Sequence, residues 1–490
     1  SPLAESEVIC RGVAASPGAA TGQIVFSSKM AQILALKEKP SILVKLETGP
    51  EDIRGMHFTK GVLTERGGMT SHAAVTARGL GLPCIVGANA LKIDLKKKCI
   101  VTKSGQTFNE CDFITIDGTS GKVISGKTEL VEPAFDDGLK TFLSWAEQIA
   151  NLTIRANADT PTDVTIARNF GAKGIGLCRT EQMFFEDDRL IVMREMIFAD
   201  TNKERKVALE QLLPMQRADF MKIFKIMDGF PVCIRLFDPP LHEFLPRERQ
   251  EMLELAEALD LSVSKIVERT KELSEFNPML GMRGVRLGIT LPEIYEMQVR
   301  AIFEATVLAQ KSGMLIVPEI MVPLVSTQKE VELVRVNIES TANAVKSETG
   351  RDFEYKYGVM VETPRASLRA GDIAKSASFL SFGTNDLTQM TYGLSRDDAG
   401  RFMRDYVAKK VFNEDPFRTL DKDGVGELLL LARDRGREQN PILSLSVCGE
   451  HGGDPASIKF CCEAGFNYVS CSSFRVPIAI LAAAHYELEK

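Results

Sequence analysis

Cysteine is sparse in this sequence, ten in 490 residues, and none lies in a CxxC pair. That spacing argues against a disulfide framework or a zinc ribbon and fits reduced thiols in an intracellular protein. Long apolar runs are missing as well. The longest, Ile478 to Ala484, falls far short of the ~20 residues that span a bilayer. Neither sign of charge dominates. With 60 basic and 66 acidic side chains the formal charge is −6, so no broad basic surface is offered to nucleic acid or to an anionic membrane. Glycine and proline, 37 and 21, stand at ordinary levels, which removes collagen-like and low-complexity classes. No internal repeat is visible, and Ser1 to Glu7 lacks the charged-then-apolar pattern of a secretory signal. What remains is a slightly acidic globular chain, long enough for about two to four domains.

Two textures divide it. From residue 8 to 125, short strands alternate with glycines: SILVKL, GVLTE and PCIVGA read as strands bounded by turn residues, and FITIDGTSGKVIS as two strands around Asp117-Gly118. KIDLKKK reads as a solvated surface stretch. Residues 126–150 differ. After Pro133, the spacing of Phe135, Leu139, Phe142, Leu143, Ala146 and Ile149 predicts a helix with one apolar face, a connector between two bodies. From 151 to 490 a strand-then-helix rhythm repeats. Strands are expected at LTIRANAD, GIGLCRTE, VCIRLFD, LIVPEIMVP, YGVMVE, FLSFGTND, LSLSVCGE and YVSCS, which predicts a (β/α)8 barrel with a long elaborated loop after the third strand. The expected organisation is an α/β domain at 1–125, a helical linker at 126–150 and the barrel at 151–490.

Two constellations could carry chemistry. The first is GGMTSHAAVTARG, Gly67 to Gly79. Thr70 and Ser71 are good caps and Ala73, Ala74 and Ala77 favour helix, which places His72 in the first turn of a short helix beside a glycine-rich loop. The free N–H groups of such a turn are donors for a phosphoryl group attached there. A capping or buried histidine without chemistry, the commoner case, produces the same pattern.

The second is a set of polar residues at expected strand C-termini, where barrel active sites are built. Arg179, Arg235, Glu362, Asn385, Asp386 and Cys448 each follow such a strand, and Arg283 comes from the long loop. Three arginines suit a ligand with a carboxylate and a phosphate. Glu362 and Asp386 are too few for an all-protein calcium cage and suit Mg²⁺ that shares its shell with substrate and water. Cys448 could move a proton at a carbon centre. Each residue singly also fits a salt bridge, a helix cap or a core thiol. It is their gathering at strand ends of one barrel that favours a site. His451, close after Cys448, is given no role.

At GGMTSHAAVTARGLGLPCIVG the sequence resembles the phosphohistidine domain of the pyruvate, phosphate dikinase family. GIGLCRTEQMFF, IRLFDPPLHEFLP, NPMLGMRG, VPEIMVPLV, GTNDLTQMTYG, CGEHGGDP and YVSCSSFRVPIA extend the resemblance from about residue 10 to the end. It implies a swivelling α/β phosphohistidine domain followed by the barrel, with the 126–150 connector hinging at its ends, near Gly126 and Ala150. His72 would be phosphorylated and dephosphorylated in turn. Arg179, Arg235 and Arg283 would hold phosphoenolpyruvate or pyruvate, Gly383, Thr384 and Asn385 would line the substrate, and Glu362 and Asp386 would bind Mg²⁺. Cys448 would protonate or deprotonate the methyl carbon. The activity implied is that of a phosphotransferase with paired acceptors, here its pyruvate half-reaction. Thr70 stands where plant members carry a regulatory phosphorylation site. The implied partners are a nucleotide-binding domain, for which the first 70 residues hold no candidate, and a second copy pairing through the barrel. The compartment stays open between cytoplasm and organelle, plastid or glycosome included. Met282 stands where the family usually has His, and Ser473 where it usually has Pro. Phosphoenolpyruvate synthase and enzyme I of the sugar phosphotransferase system share the barrel signatures but usually carry Arg at the position of Met69. A phosphocarrier that binds phosphoenolpyruvate without turnover is a further alternative, against which Glu362, Asp386 and Cys448 speak.

Overall fold

The structure, a computed structural model, describes residues 8–37, 39–49, 52–68, 71–128, 130, 137–185, 187–246, 249–275 and 277–490. Met69, Thr70, Pro133 and Phe135 lie outside the described residues. The chain divides into two compact units, Ser1–Phe135 and Asp136–Lys490.

Among the described residues the first unit has eleven strands: β1 (Val8–Arg11), β2 (Val13–Ser16), β3 (Ala19–Val25), β4 (Ser41–Lys45), β5 (Gly61–Thr64), β6 (Cys84–Val86), β7 (Leu91–Asp94), β8 (Cys99–Thr102), β9 (Thr107–Asn109), β10 (Phe113–Asp117) and β11 (Lys122–Ser125). Eight form one sheet in the order β1-β11-β10-β3-β4-β5-β6-β2, and β7, β8 and β9 form a second. β3 to β6 run parallel, while β10–β11 is an antiparallel hairpin. Side chains alternate between the two faces of a strand, and here both faces are covered. Ile24, Ile42 and Val44 pack with Leu91, Ile93 and Ile100 of the small sheet. Val25, Leu43 and Val62 pack with Ala31, Met56, Ala73, Ala74 and Ala77 of the helices.

KIDLKKK is solvated for most of its length, as expected, but Ile93, like Leu91 just before it, is a buried strand residue. In the turn that follows, the Asp94 carboxylate accepts from the Lys96 and Lys97 N–H groups at 3.0 Å each. The lysines mask a period-two pattern of two buried apolar residues.

The second unit is a closed barrel of eight parallel strands: β12 (Thr153–Asn157), β13 (Ile175–Arg179), β14 (Val232–Arg235), β15 (Pro318–Val322), β16 (Lys356–Val361), β17 (Phe379–Phe382), β18 (Ser444–Val447) and β19 (Tyr468–Ser472). All eight lie where the sequence places them. β19 closes on β12, with Thr153 opposite Tyr468 and Asn157 opposite Ser472. The long loop after β14 holds the helices Arg249–Ala258, Val263–Leu273, Val285–Thr290 and Pro292–Lys311.

The segment expected as a connector is divided. Its helix, Asp137–Ile149, belongs to the second unit and packs on the helix Val476–Glu489, burying Leu143 and Ala146. Phe142 and Trp145 on the same helix remain more than half exposed. Among the described residues no helix is long and apolar enough to cross a membrane. All ten thiols are free.

Candidate active site

In the first unit, His72 opens the helix His72–Leu80, with Ser71 as its extended cap. The Ser71 hydroxyl does not cap the helix. It donates to the Gly68 carbonyl at 2.8 Å, leaving the first N–H groups unclaimed by that side chain. The approach to the helix needs glycine twice. Gly67 (φ +110°) and Gly87 (φ +63°) lie in the left-handed region, and a Cβ on Gly87 would stand 2.7 Å from the Gly67 carbonyl oxygen. His72 is partly exposed, and its Nδ1 lies 3.2 Å from Thr48 Oγ1. Nδ1 is thereby engaged by the protein.

In the second unit, strand register gathers the expected residues. Arg179 and Arg235, the last residues of β13 and β14, are direct partners. Val361 pairs with Phe382 and Phe382 with Val447, so the residues that follow them, Glu362, Gly383 and Cys448, leave the barrel at one level. Each arginine is held by an acid. Arg179 donates to Asp159, at 2.9 Å from Nε and 2.7 Å from Nη2. Arg235 donates to Glu181 and lies 3.5 Å from Asp238. Arg283 donates to Asp238 at 2.6 Å and Asp386 at 3.1 Å. Sequence reasoning missed Asp159, Glu181 and Asp238. The signal was present, since each stands immediately after an expected strand, in LTIRANAD, GIGLCRTE and VCIRLFD, but only register shows which arginine each one fixes.

Glu362 is 2 % exposed and accepts the Leu324 N–H at 2.7 Å. Burial, and then the like charges of Asp386 and Asp238, hold its carboxyl well above the ordinary value. Burial also raises Glu181, whereas at Asp238 burial is outweighed by Arg235 and Arg283 and the net shift is downward. Glu181 Oε2 and Asp238 Oδ1 are buried without a hydrogen-bond partner. Five carboxylates thus face three guanidinium groups, and two acceptor oxygens are unclaimed. Acidic oxygens in this number are hard donors of the kind a divalent cation such as Mg²⁺ takes. No group of three or more His, Cys, Asp or Glu placed to hold a metal occurs among the described residues, so such an ion would complete its shell with substrate and water.

Gly383 is needed where it stands, because a Cβ there would lie 2.6 Å from Glu362 Oε2. Asn385 is partly exposed and accepts the Glu450 N–H at 3.3 Å. Thr384 has no exposed surface, and its hydroxyl lies 2.6 Å from His451 Nδ1. Cys448 is buried at the barrel mouth. Burial pushes its thiol up to about 12, so it carries its proton at neutral pH. Its carbonyl accepts from Asn157 Nδ2 at 3.0 Å. Met282 is partly exposed and Ser473 buried, its hydroxyl 3.5 Å from the Asp163 carbonyl.

Residues 135–488, more than half of the chain, match the family described as PEP-utilising enzyme, PEP-binding domain. The chain belongs to the PEP-utilising enzymes. Residues 37–121 match the mobile domain of the same enzymes, so the two units of this PEP-utilising enzyme correspond to two family domains. The chain is 54 % identical over 485 residues to "Pyruvate, phosphate dikinase" of Rhizobium meliloti, covering 99 % of this chain and 54 % of that protein. It is 52 % identical over 480 residues to "Pyruvate, phosphate dikinase 1, chloroplastic" of Arabidopsis thaliana, 98 % of this chain and 50 % of that one. The Clostridium symbiosum "Pyruvate, phosphate dikinase" is 48 % identical over 487 residues, 99 % and 56 %. The chain therefore spans about half the length of these curated relatives.

Proposed function

We propose that the chain transfers a phosphoryl group reversibly between His72 and pyruvate, forming and consuming phosphoenolpyruvate. The observation that carries this reading is the gathering of Arg179, Arg235, Arg283, Glu362, Asp386 and a protonated Cys448 at one barrel mouth, in a chain that also presents His72 at a helix N-terminus.

In the direction from phosphoenolpyruvate, the arginines bind the carboxylate and phosphoryl oxygens bidentately. The His72 Nε2 lone pair attacks phosphorus and the bond from phosphorus to the enol oxygen breaks, leaving enolate. The arginines face the charge on that oxygen. The enolate electron pair then takes the Cys448 proton at the methylene carbon, giving pyruvate and a thiolate, and the reverse direction begins with that thiolate. Bound Mg²⁺ would supply further stabilisation of the enolate oxygen's charge. The transfer requires the first unit to carry His72 to the barrel. The helix Asp137–Ile149 is packed on the second unit, so the pivot of that movement is assigned to the Gly126 side of the connector and not to Ala150. A nucleotide-binding domain that charges His72, and a second copy joined through the barrel, belong to the same reading, as does regulation at Thr70, which lies outside the described residues.

The test is to incubate the chain with phosphoenolpyruvate and Mg²⁺ and follow intact mass and pyruvate release. One added phosphate that His72→Ala abolishes supports the reading. No added phosphate at millimolar ligand overturns it.

A further inference from the structure

The loop after β18 is tied to the helix after β17 at more points than proton donation by Cys448 requires. The Cys448 N–H donates to the Phe382 carbonyl at 3.2 Å. At Gly449 a Cβ would overlap Thr384 Oγ1, so only glycine lets the two segments meet. The Glu450 N–H donates to Asn385 Oδ1. Then comes His451, 1 % exposed, with Nδ1 2.6 Å from Thr384 Oγ1 and Nε2 2.8 Å from the Pro416 carbonyl. A carbonyl only accepts, so Nε2 carries the hydrogen. In the neutral ring that leaves Nδ1 bare, and it accepts the Thr384 hydroxyl. Burial favours the neutral ring. Thr384 is the first residue of the helix Thr384–Tyr392, which carries Asn385 and Asp386 at its head. One buried imidazole therefore joins three segments: the thiol loop, the head of the neighbouring helix, and the stretch around Pro416.

We infer that His451 is a positioning residue, which holds the Cys448 thiol in register with Asn385 and Asp386 by fixing Thr384 through one ring nitrogen and Pro416 through the other. This rests on the reading of Cys448 as the group that moves the proton at carbon. His451 touches no reacting atom. Its effect belongs in proton transfer at carbon and not in ligand affinity.

The experiment uses the full chain with Mg²⁺ and pyruvate in D2O, following loss of the methyl signal by NMR as a function of pyruvate concentration. His451→Leu is expected to slow the exchange at saturation by about tenfold to a hundredfold, the cost of a small misplacement of a catalytic group. Its KM should stay within about twofold, since binding is not what the ring supports. His451→Asn, whose side-chain oxygen falls near the Nδ1 position, should recover most of the rate. Thr384→Val, which removes the Nδ1 link alone, should slow exchange in the same direction and no more than His451→Leu, and the double variant should be no slower than His451→Leu, because that link is already gone. Unchanged exchange in a folded His451→Leu chain overturns the inference. So does a joint loss of rate and affinity that His451→Asn does not rescue, which marks a merely structural role. If His451→Leu does not fold, Thr384→Val and His451→Asn decide on the same criteria. A wild-type chain that neither exchanges pyruvate nor gains phosphate overturns the functional reading itself. An active wild type indifferent to His451 and Thr384 overturns this inference alone.

Discussion

Glu362 feels the like charges of Asp386 and Asp238 more strongly than the opposite charges of Arg283 and Arg235, and has Gly383 as its near neighbour. Gly383→Ala should push its carboxylate aside, destabilise the fold by about 1–3 kcal/mol as other overpacked sites do, and raise the Mg²⁺ concentration needed for phosphorylation of His72. A magnesium titration followed by intact mass reads the effect. Cys448→Ala should bind phosphoenolpyruvate normally yet release pyruvate about 10²–10⁴-fold more slowly, the usual worth of a positioned acid; a stopped-flow pyruvate assay measures it. His451 also predicts a pH effect on stability. Burial lowers its pKa from 6.5. The unfolded chain therefore binds protons first as pH falls, so stability is full above about 6.5 and declines as pH drops toward the lower folded value. Each pH unit between folded and unfolded values is worth about 1.4 kcal/mol. Because the raised carboxyls of Glu362 and Glu181 act in the opposite sense, the histidine is read by difference: between pH 7 and 5 the urea midpoint of the unchanged chain should lose ground relative to that of His451→Asn. At this scale the sequence shows where Arg179, Arg235, Glu362 and Cys448 stand, because each ends or directly follows a strand whose pattern is plain, and Asp386 lies on the helix just beyond another. It does not show the partner of Thr384, a histidine about 70 positions away.

Among the elements, the turn after β15 carries backbone strain. Leu324 has φ +58°, uncommon for a branched side chain, and that conformation aims its N–H at Glu362. Gly284, which follows Arg283, also has φ +58°, and a Cβ there would lie 2.7 Å from Leu324 Cβ. Gly284→Ala should therefore cost about 1–3 kcal/mol by the backbone and packing penalties together. It should also raise KM for phosphoenolpyruvate by displacing Arg283, whereas a chain equally active and stable would show that the turn tolerates a side chain. Element identity was legible wherever one period ran uninterrupted, as in the eight barrel strands. It failed where two demands overlapped. Lysines hid the buried face of β7. The helix Asp137–Ile149 was legible as a helix, but its periodicity did not show which apolar residues pack: Leu143 and Ala146 are buried while Phe142 and Trp145 are exposed.

For the molecule as a whole, the assignment of the pivot is open to direct measurement. Replacing residues 126–128 with a rigid helical segment should slow phosphoryl transfer to His72 by about tenfold or more, as loss of productive juxtaposition does, while deuterium exchange into pyruvate stays intact. The same replacement at Ala150 should change neither rate. If the Ala150 change alone slows transfer, the pivot has been put at the wrong end of the helix.

The barrel closes through its first and last strands, and Asn157 on β12 accepts from Ser470 on β19 while donating to the Cys448 carbonyl. A closure between residues more than 300 positions apart is about as non-local as a contact can be, and such contacts form late. During synthesis at about 5–20 residues per second, the first unit's sheet can be complete while the barrel is still an open, unpaired curl of strands. The mouth around Cys448 is assembled only after residue 472 has emerged. Any nascent chain halted earlier presents two bare strand edges to its surroundings. Translational pausing before that point should leave a species that chaperones hold and proteases cut within the second unit, while the first resists.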